Sequence, residues 1–178
     1  MNTANKLTMA RVVMIPVFLA VLYLVAPPYN NYIALVIFML ASITDFIDGY
    51  VARHYDQVTD FGKFMDPLAD KLLVCSGLIC FTGLGQLPAW IVIIIISREF
   101  IISGFRLVAS DNGIVIAASY WGKFKTASQM IMSVLLIVNI PALSIVTTAL
   151  IWISLILTVI SLVDYIAKNH QVLTEGSL

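Results

Sequence analysis

Residues 45–71 read DFIDGYVARHYDQVTDFGKFMDPLADK, and the charge in this stretch decides how the rest of the chain is read. Asp45, Asp48, Asp66 and Asp70 belong to a set of only ten acidic residues in 178. Asp56 and Asp60 lie between them and read as solvated loop charges. On both sides the sequence turns apolar, so the outer aspartates sit where apolar segments meet a polar connection. Charge in such a place is costly and is kept for a function.

Outward from that stretch the chain is 61% hydrophobic and 11% charged, with a mean hydropathy of +0.99. A soluble domain of this size has no use for so much apolar surface, whereas a small polytopic membrane protein shows it to lipid. Net charge is zero, which gives a nucleic acid nothing to bind, and none is expected as a partner. Cys75 and Cys80 are five positions apart in one apolar run. On a helix they point in different directions, so they are expected as small buried hydrophobes without a disulfide. Met1–Lys6 is short and polar, and no small-residue cleavage site follows the first apolar run, which therefore reads as a retained anchor.

A membrane-crossing helix needs about 20 mostly apolar residues. Six segments meet that length approximately: Leu7 to Val25, Tyr32 to Tyr50, Pro67 to Gly83, Pro88 to Leu107, Trp121 to Val138 and Ala142 to Ile166. Pro28, Pro67, Pro88 and Pro141 fall at or near helix ends, where a missing amide hydrogen costs little. Pro16 falls inside the first segment, which membrane helices tolerate. The connections Ala26–Asn31, Gly83–Leu87 and Asn139–Ser144 carry no charge. Lys6, Arg11, Arg53, Lys63, Lys71, Arg106, Lys123, Lys125 and Lys168 all lie at the opposite helix ends, which the positive-inside rule makes cytoplasmic. The expectation is an all-α, multi-pass cell-membrane protein: one domain over residues 1–178, six transmembrane helices, both termini in the cytoplasm. Two long polar connections, Val51–Met65 and Val108–Tyr120, fall on the cytoplasmic side with the carboxylates.

Counted from Tyr32, Asp45 lies about 20 Å and Asp48 about 24 Å along the second helix, inside the cytoplasmic part of a hydrocarbon core about 30 Å thick. Their spacing of three puts them on one helix face. Gly49 and Ala52 leave room there for a ligand or a second backbone, and Arg53 suits the negative end of the helix. Asp66 before Pro67 reads as an N-cap, with Asp70 one turn further on the same face. Four carboxylates brought together repel one another unless protons or cations intervene. Two divalent ions would balance them, and oxygen-only ligands favour hard ions such as Mg2+ or Mn2+. A metal pair of that kind stabilises the attacking and leaving oxygens of a phosphoryl displacement.

The order Asp45-x2-Asp48-Gly49-x2-Ala52-Arg53-x8-Gly62-x3-Asp66-x3-Asp70 resembles the full signature of the CDP-alcohol phosphotransferase family, with every fixed position present. That resemblance implies a six-helix integral membrane enzyme, usually a homodimer, that binds a CDP-linked donor and two metals. Asp45, Asp48, Asp66 and Asp70 would then hold the metals, and Asp70 would also act as general base. Asp48, Gly49, Ala52, Arg53, Gly62 and Asp66 would accommodate the cytidine and pyrophosphate.

The signature names a reaction class, not the alcohol. Arg98, Arg106, Lys123 and Lys125 form a group of cations in the second half. Cations there suit an acceptor with its own phosphate, because arginine offers a bidentate fork and lysine a point charge. Two plainer readings stand beside that one: Lys123 and Lys125 as anchors touching anionic lipid, and Arg98 paired with Glu99 or another acid. Ser97-Arg98-Glu99-Phe100 to Ser103-Gly104-Phe105-Arg106, Gly122-Lys123-x-Lys125-Thr126-x2-Gln129 and the opening Asn5-Lys6-Leu7-Thr8-x2-Arg11 resemble family members that use glycerol 3-phosphate. Ala4 stands where such members often have proline. By that resemblance Asn5 would approach the donor, while Thr8 and Arg11 would approach the acceptor phosphate. The expected reaction transfers the phosphatidyl group of CDP-diacylglycerol to glycerol 3-phosphate, releasing CMP, in anionic phospholipid synthesis. The rivals are another acceptor such as inositol phosphate, a membrane prenyltransferase, which would release pyrophosphate, and an ion-binding or transport protein without turnover.

Overall fold

A computed structural model describes residues 3–54, 60–111, 116 and 119–169. The side chains of residues 3–7, 45–54, 60–64, 66–67, 70 and 111 lie outside the description. Among the described residues there are six α-helices and no strand: α1 Thr3–Leu24, α2 Tyr29–His54, α3 Asp60–Gly83, α4 Ala89–Asp111, α5 Tyr120–Val138 and α6 Ser144–Lys168. A single 3-10 turn, Pro141–Leu143, leads into α6. All six expected segments are helical to within a residue at their ends, and Gly83–Leu87 falls at the junction of α3 and α4. Of Ala26–Asn31 only the first half is a connection, because α2 already begins at Tyr29, and Asn139–Ser144 runs into α6 at Ser144. Pro16 lies inside α1. The run of six β-branched residues from 91 to 96 is helical too. In an apolar medium a chain must satisfy its own backbone groups, and that requirement outweighs the small χ1 penalty of branching.

Two expectations at the polar connections are corrected. The connection expected over Val51–Met65 is largely helical, because α2 continues to His54 and α3 already begins at Asp60. Asp66 and Pro67 therefore lie within α3, not at its N-cap and first position. The proline removes one backbone hydrogen bond, while the added first turns supply several, and an acidic residue at the start suits the positive end of the helix dipole. Likewise α4 continues to Asp111, so the connection expected from Val108 starts later.

The chain divides into two compact units, Met1–Leu84 with Ile137–Asn139, and Gly85–Leu136 with Ile140–Leu178. In the first, α1 packs against α2 and α3. Phe18 on α1 is fully buried, with its ring 5.9 Å from that of Phe38 on α2. Gly77 on α3 meets the Phe18 ring, a Cβ there lying 3.6 Å from it. Ala34 and Ala41, fully buried on α2 and seven positions apart, keep that face narrow. Asn31 donates from Nδ2 to the Val138 carbonyl at 3.2 Å. The next residue, Asn139, has a φ of 49°, the left-handed conformation in which asparagine commonly ends a helix. Cys75 and Cys80 are both buried and unbridged, as expected.

In the second unit α4 packs on α6. Trp90 meets Trp152 at 6.0 Å, and Phe105 meets Tyr165 edge-on at 6.1 Å. The segment Pro141–Lys168 has a mean hydropathy of 2.4 with only 22% of its apolar window buried. It is the one helix among the described residues that is long and apolar enough to cross a membrane. Ile145, Trp152, Ile156 and Val163 on this segment are all exposed, a surface suited to hydrocarbon and not to water.

Candidate active site

Ionic groups on an apolar helix must find partners or lose their charge. On α4 they find them. Glu99 Oε1 accepts a hydrogen bond from Arg98 Nη1 at 3.0 Å and another from Lys125 Nζ on α5. Arg98 Nη2 donates to Ser161 Oγ on α6 at 2.5 Å. One carboxylate and one hydroxyl thereby tie three helices of the second unit together. Gly122 on α5 makes room for the guanidinium, since a Cβ there would sit 3.4 Å from Nη2. Arg98 and Lys125 are 7% and 2% exposed. Arg98 Nε, also buried, has no hydrogen-bond partner among the described residues. Chemically this is a fixed cationic site with a guanidinium N–H still to give, suited to a phosphate oxygen.

Of the four cations expected on the acceptor side, the structure joins Arg98 and Lys125 through Glu99. Arg106 on α4 and Lys123 on α5 are both exposed, and Lys123 lies over the Tyr120 ring at 5.4 Å. Burial rules out a surface-anchor role for Lys125, and the Arg98–Glu99 pairing considered as the plainer reading is present. Thr8 and Arg11 are fully buried on α1 in the first unit. Ser161 was not singled out from sequence. Its signal lay in the pattern, because Ser154, Thr158, Ser161 and Tyr165 recur at helical spacing in an otherwise apolar segment, and all four are buried.

The donor-side positions fall on two helices of the first unit. Asp45, Asp48, Gly49, Ala52 and Arg53 belong to α2, and Gly62, Asp66 and Asp70 to α3, which touches α2. Their side chains, like that of Asn5, lie outside the described residues. Among the described residues no three His, Cys, Asp or Glu side chains stand together. The donor set itself is carboxylate only, contributed in pairs by two touching helices, and that chemistry fits hard divalent cations.

The profile of the CDP-alcohol phosphatidyltransferase family matches residues 1–160. The CDP-diacylglycerol–glycerol-3-phosphate 3-phosphatidyltransferase of Bacillus subtilis is 41% identical, with 99% of each chain covered. A probable phosphatidylglycerophosphate synthase of Mycobacterium tuberculosis is 40% identical over 94% of this chain and 81% of its own length. The Rickettsia bellii CDP-diacylglycerol–glycerol-3-phosphate 3-phosphatidyltransferase is 37% identical over 92% and 93%.

Proposed function

This chain belongs to the CDP-alcohol phosphatidyltransferase family, and from that premise we propose that it transfers the phosphatidyl group of CDP-diacylglycerol to sn-glycerol 3-phosphate. The products are phosphatidylglycerophosphate and CMP. The family makes it a transferase of phospholipid synthesis. The acceptor assignment draws on relatives so named along nearly their whole length. The observation that carries it is the buried pair Arg98 and Lys125 gathered on Glu99, a site built for an anion.

Asp45, Asp48, Asp66 and Asp70 would hold two divalent cations, Mg2+ or Mn2+, which supply positive charge to the donor's pyrophosphate and to the leaving CMP. Asn5, Gly49, Ala52, Arg53 and Gly62 accommodate the CDP moiety. Arg98 and Lys125 hold the acceptor phosphate, with Arg106, Lys123, Thr8 and Arg11 adding to that side, so that binding energy fixes the nucleophile. Asp70 takes the proton of the C1 hydroxyl. The oxygen then attacks the phosphorus bonded to diacylglycerol, the bond to the CMP oxygen breaks, and CMP leaves with the electron pair.

The same reading makes the chain one catalytic domain in the cell membrane, with six spans, both termini and the active site on the cytoplasmic side, and a homodimeric assembly. The expected depth of the carboxylate stretch, counted along the second helix, supports it, since the donor's pyrophosphate would sit at headgroup level while its acyl chains stay in lipid. The test is product analysis on purified protein given CDP-diacylglycerol, Mg2+ and either glycerol 3-phosphate or inositol phosphate. Phosphatidylglycerophosphate with one CMP per turnover is expected, and none from Asp70→Asn. Exclusive use of inositol phosphate overturns the acceptor, and release of pyrophosphate overturns the chemistry.

A further inference from the structure

Gln129 lies on α5 four residues, about 6 Å of helix, beyond Lys125. Both are buried, Gln129 to 3% exposure, so they share the inward face of α5. Neither Oε1 nor Nε2 of Gln129 has a hydrogen-bond partner among the described residues. The hydroxyls nearest in sequence are committed elsewhere: Ser128 Oγ donates to the Lys125 carbonyl at 2.9 Å, and Ser133 Oγ to the Gln129 carbonyl at 2.9 Å. A buried amide with nothing to bond is a standing cost that leucine or methionine would avoid. Its neighbour along the helix is Lys125, already joined to Arg98 through Glu99.

We infer that Gln129 reads an acceptor hydroxyl, the one that neither attacks the donor nor carries the phosphate. This rests on the acceptor site proposed above. An amide both gives and accepts hydrogen bonds, and so does an alcohol, whereas a phosphate only accepts at this site. With the phosphate held by Arg98 and Lys125, and the C1 hydroxyl committed to the donor's phosphorus, the C2 hydroxyl is the one left to match. One turn of helix between Lys125 and Gln129 suits the reach of a three-carbon acceptor. A site that buries a polar group for a substrate hydroxyl discriminates strongly against an analogue lacking it, because the protein group is then left bare.

The test compares glycerol 3-phosphate with 3-hydroxypropyl phosphate, which keeps the primary hydroxyl and the phosphate and lacks the C2 hydroxyl. CMP release by the full chain in detergent–lipid micelles gives kcat/KM for each. The wild type is expected to prefer glycerol 3-phosphate by about tenfold to a hundredfold. In Gln129→Leu and in Gln129→Met that ratio should fall to within about threefold, chiefly through loss with glycerol 3-phosphate. A merely structural residue would slow both acceptors alike and preserve the ratio. An undiscriminating wild type, or a ratio preserved in either folded variant, overturns the inference while the reaction stands. A wild type that ignores glycerol 3-phosphate overturns the acceptor reading, and this inference with it.

Discussion

Glu99 has two cations on a single oxygen, so its replacement by glutamine would leave Arg98 and Lys125 facing each other without the carboxylate between them. Breaking a buried ion pair from one side costs about 3 kcal/mol or more. Thermal unfolding in detergent should show Glu99→Gln markedly less stable than the wild type, and the KM for glycerol 3-phosphate should rise more than that for the donor. An unchanged melting temperature would mean that the cluster contributes little to the fold. At this scale the sequence was informative about charge and silent about neutral partners. Arg98, Glu99 and Lys125 stood out because ionic residues are rare in an apolar segment. Ser161 and Gln129 did not, since a serine or glutamine in a membrane helix is commonplace until its burial and its partners are known.

The helices themselves were legible from apolar length, proline position and the alternation of charged with uncharged connections. Their cytoplasmic ends were less so. Composition reports where apolar surface stops, but a helix stops only where backbone pairing ends, and α2 and α3 continue past the apolar limit into polar sequence. Pro67 misled for the same reason, since a proline suits a first turn yet is also tolerated inside a membrane helix. Side-chain packing between elements was not legible at all. Phe18 is one of several aromatic residues in the sequence, yet in the fold it is fully buried and meets both Phe38 and the surface at Gly77. Phe18→Ala would open a cavity among α1, α2 and α3, and a loss of about 3–5 kcal/mol is the usual consequence. Phe18→Leu should lose much less. The denaturant midpoint of each purified variant is the measurement, and equal stability of the two would show that the site collapses to fill the space.

For the molecule as a whole, the number of helices that cross the bilayer depends on how their charges are satisfied. Only the segment ending in α6 satisfies length and apolarity unaided among the described residues. α4 carries Arg98, Glu99 and Arg106, which count against it in any sum of hydropathy. Two of those three charges are paired with each other inside the protein, and a charge satisfied internally is not presented to lipid. On that ground we propose that α4 spans, with the sidedness that the distribution of lysine and arginine about the helix ends would give. Six spans would put the turn after α3 and the end of α6 on opposite faces of the membrane. Leu84 and Lys168 mark those places, and both are exposed. Single-cysteine variants Leu84→Cys and Lys168→Cys, in a background with Cys75 and Cys80 replaced by serine, can be probed with a membrane-impermeant maleimide. Leu84→Cys should be labelled in intact cells, and Lys168→Cys only after the membrane is opened. Labelling of both from the same side would remove an odd number of crossings between them, and α4 would be the first helix to reconsider.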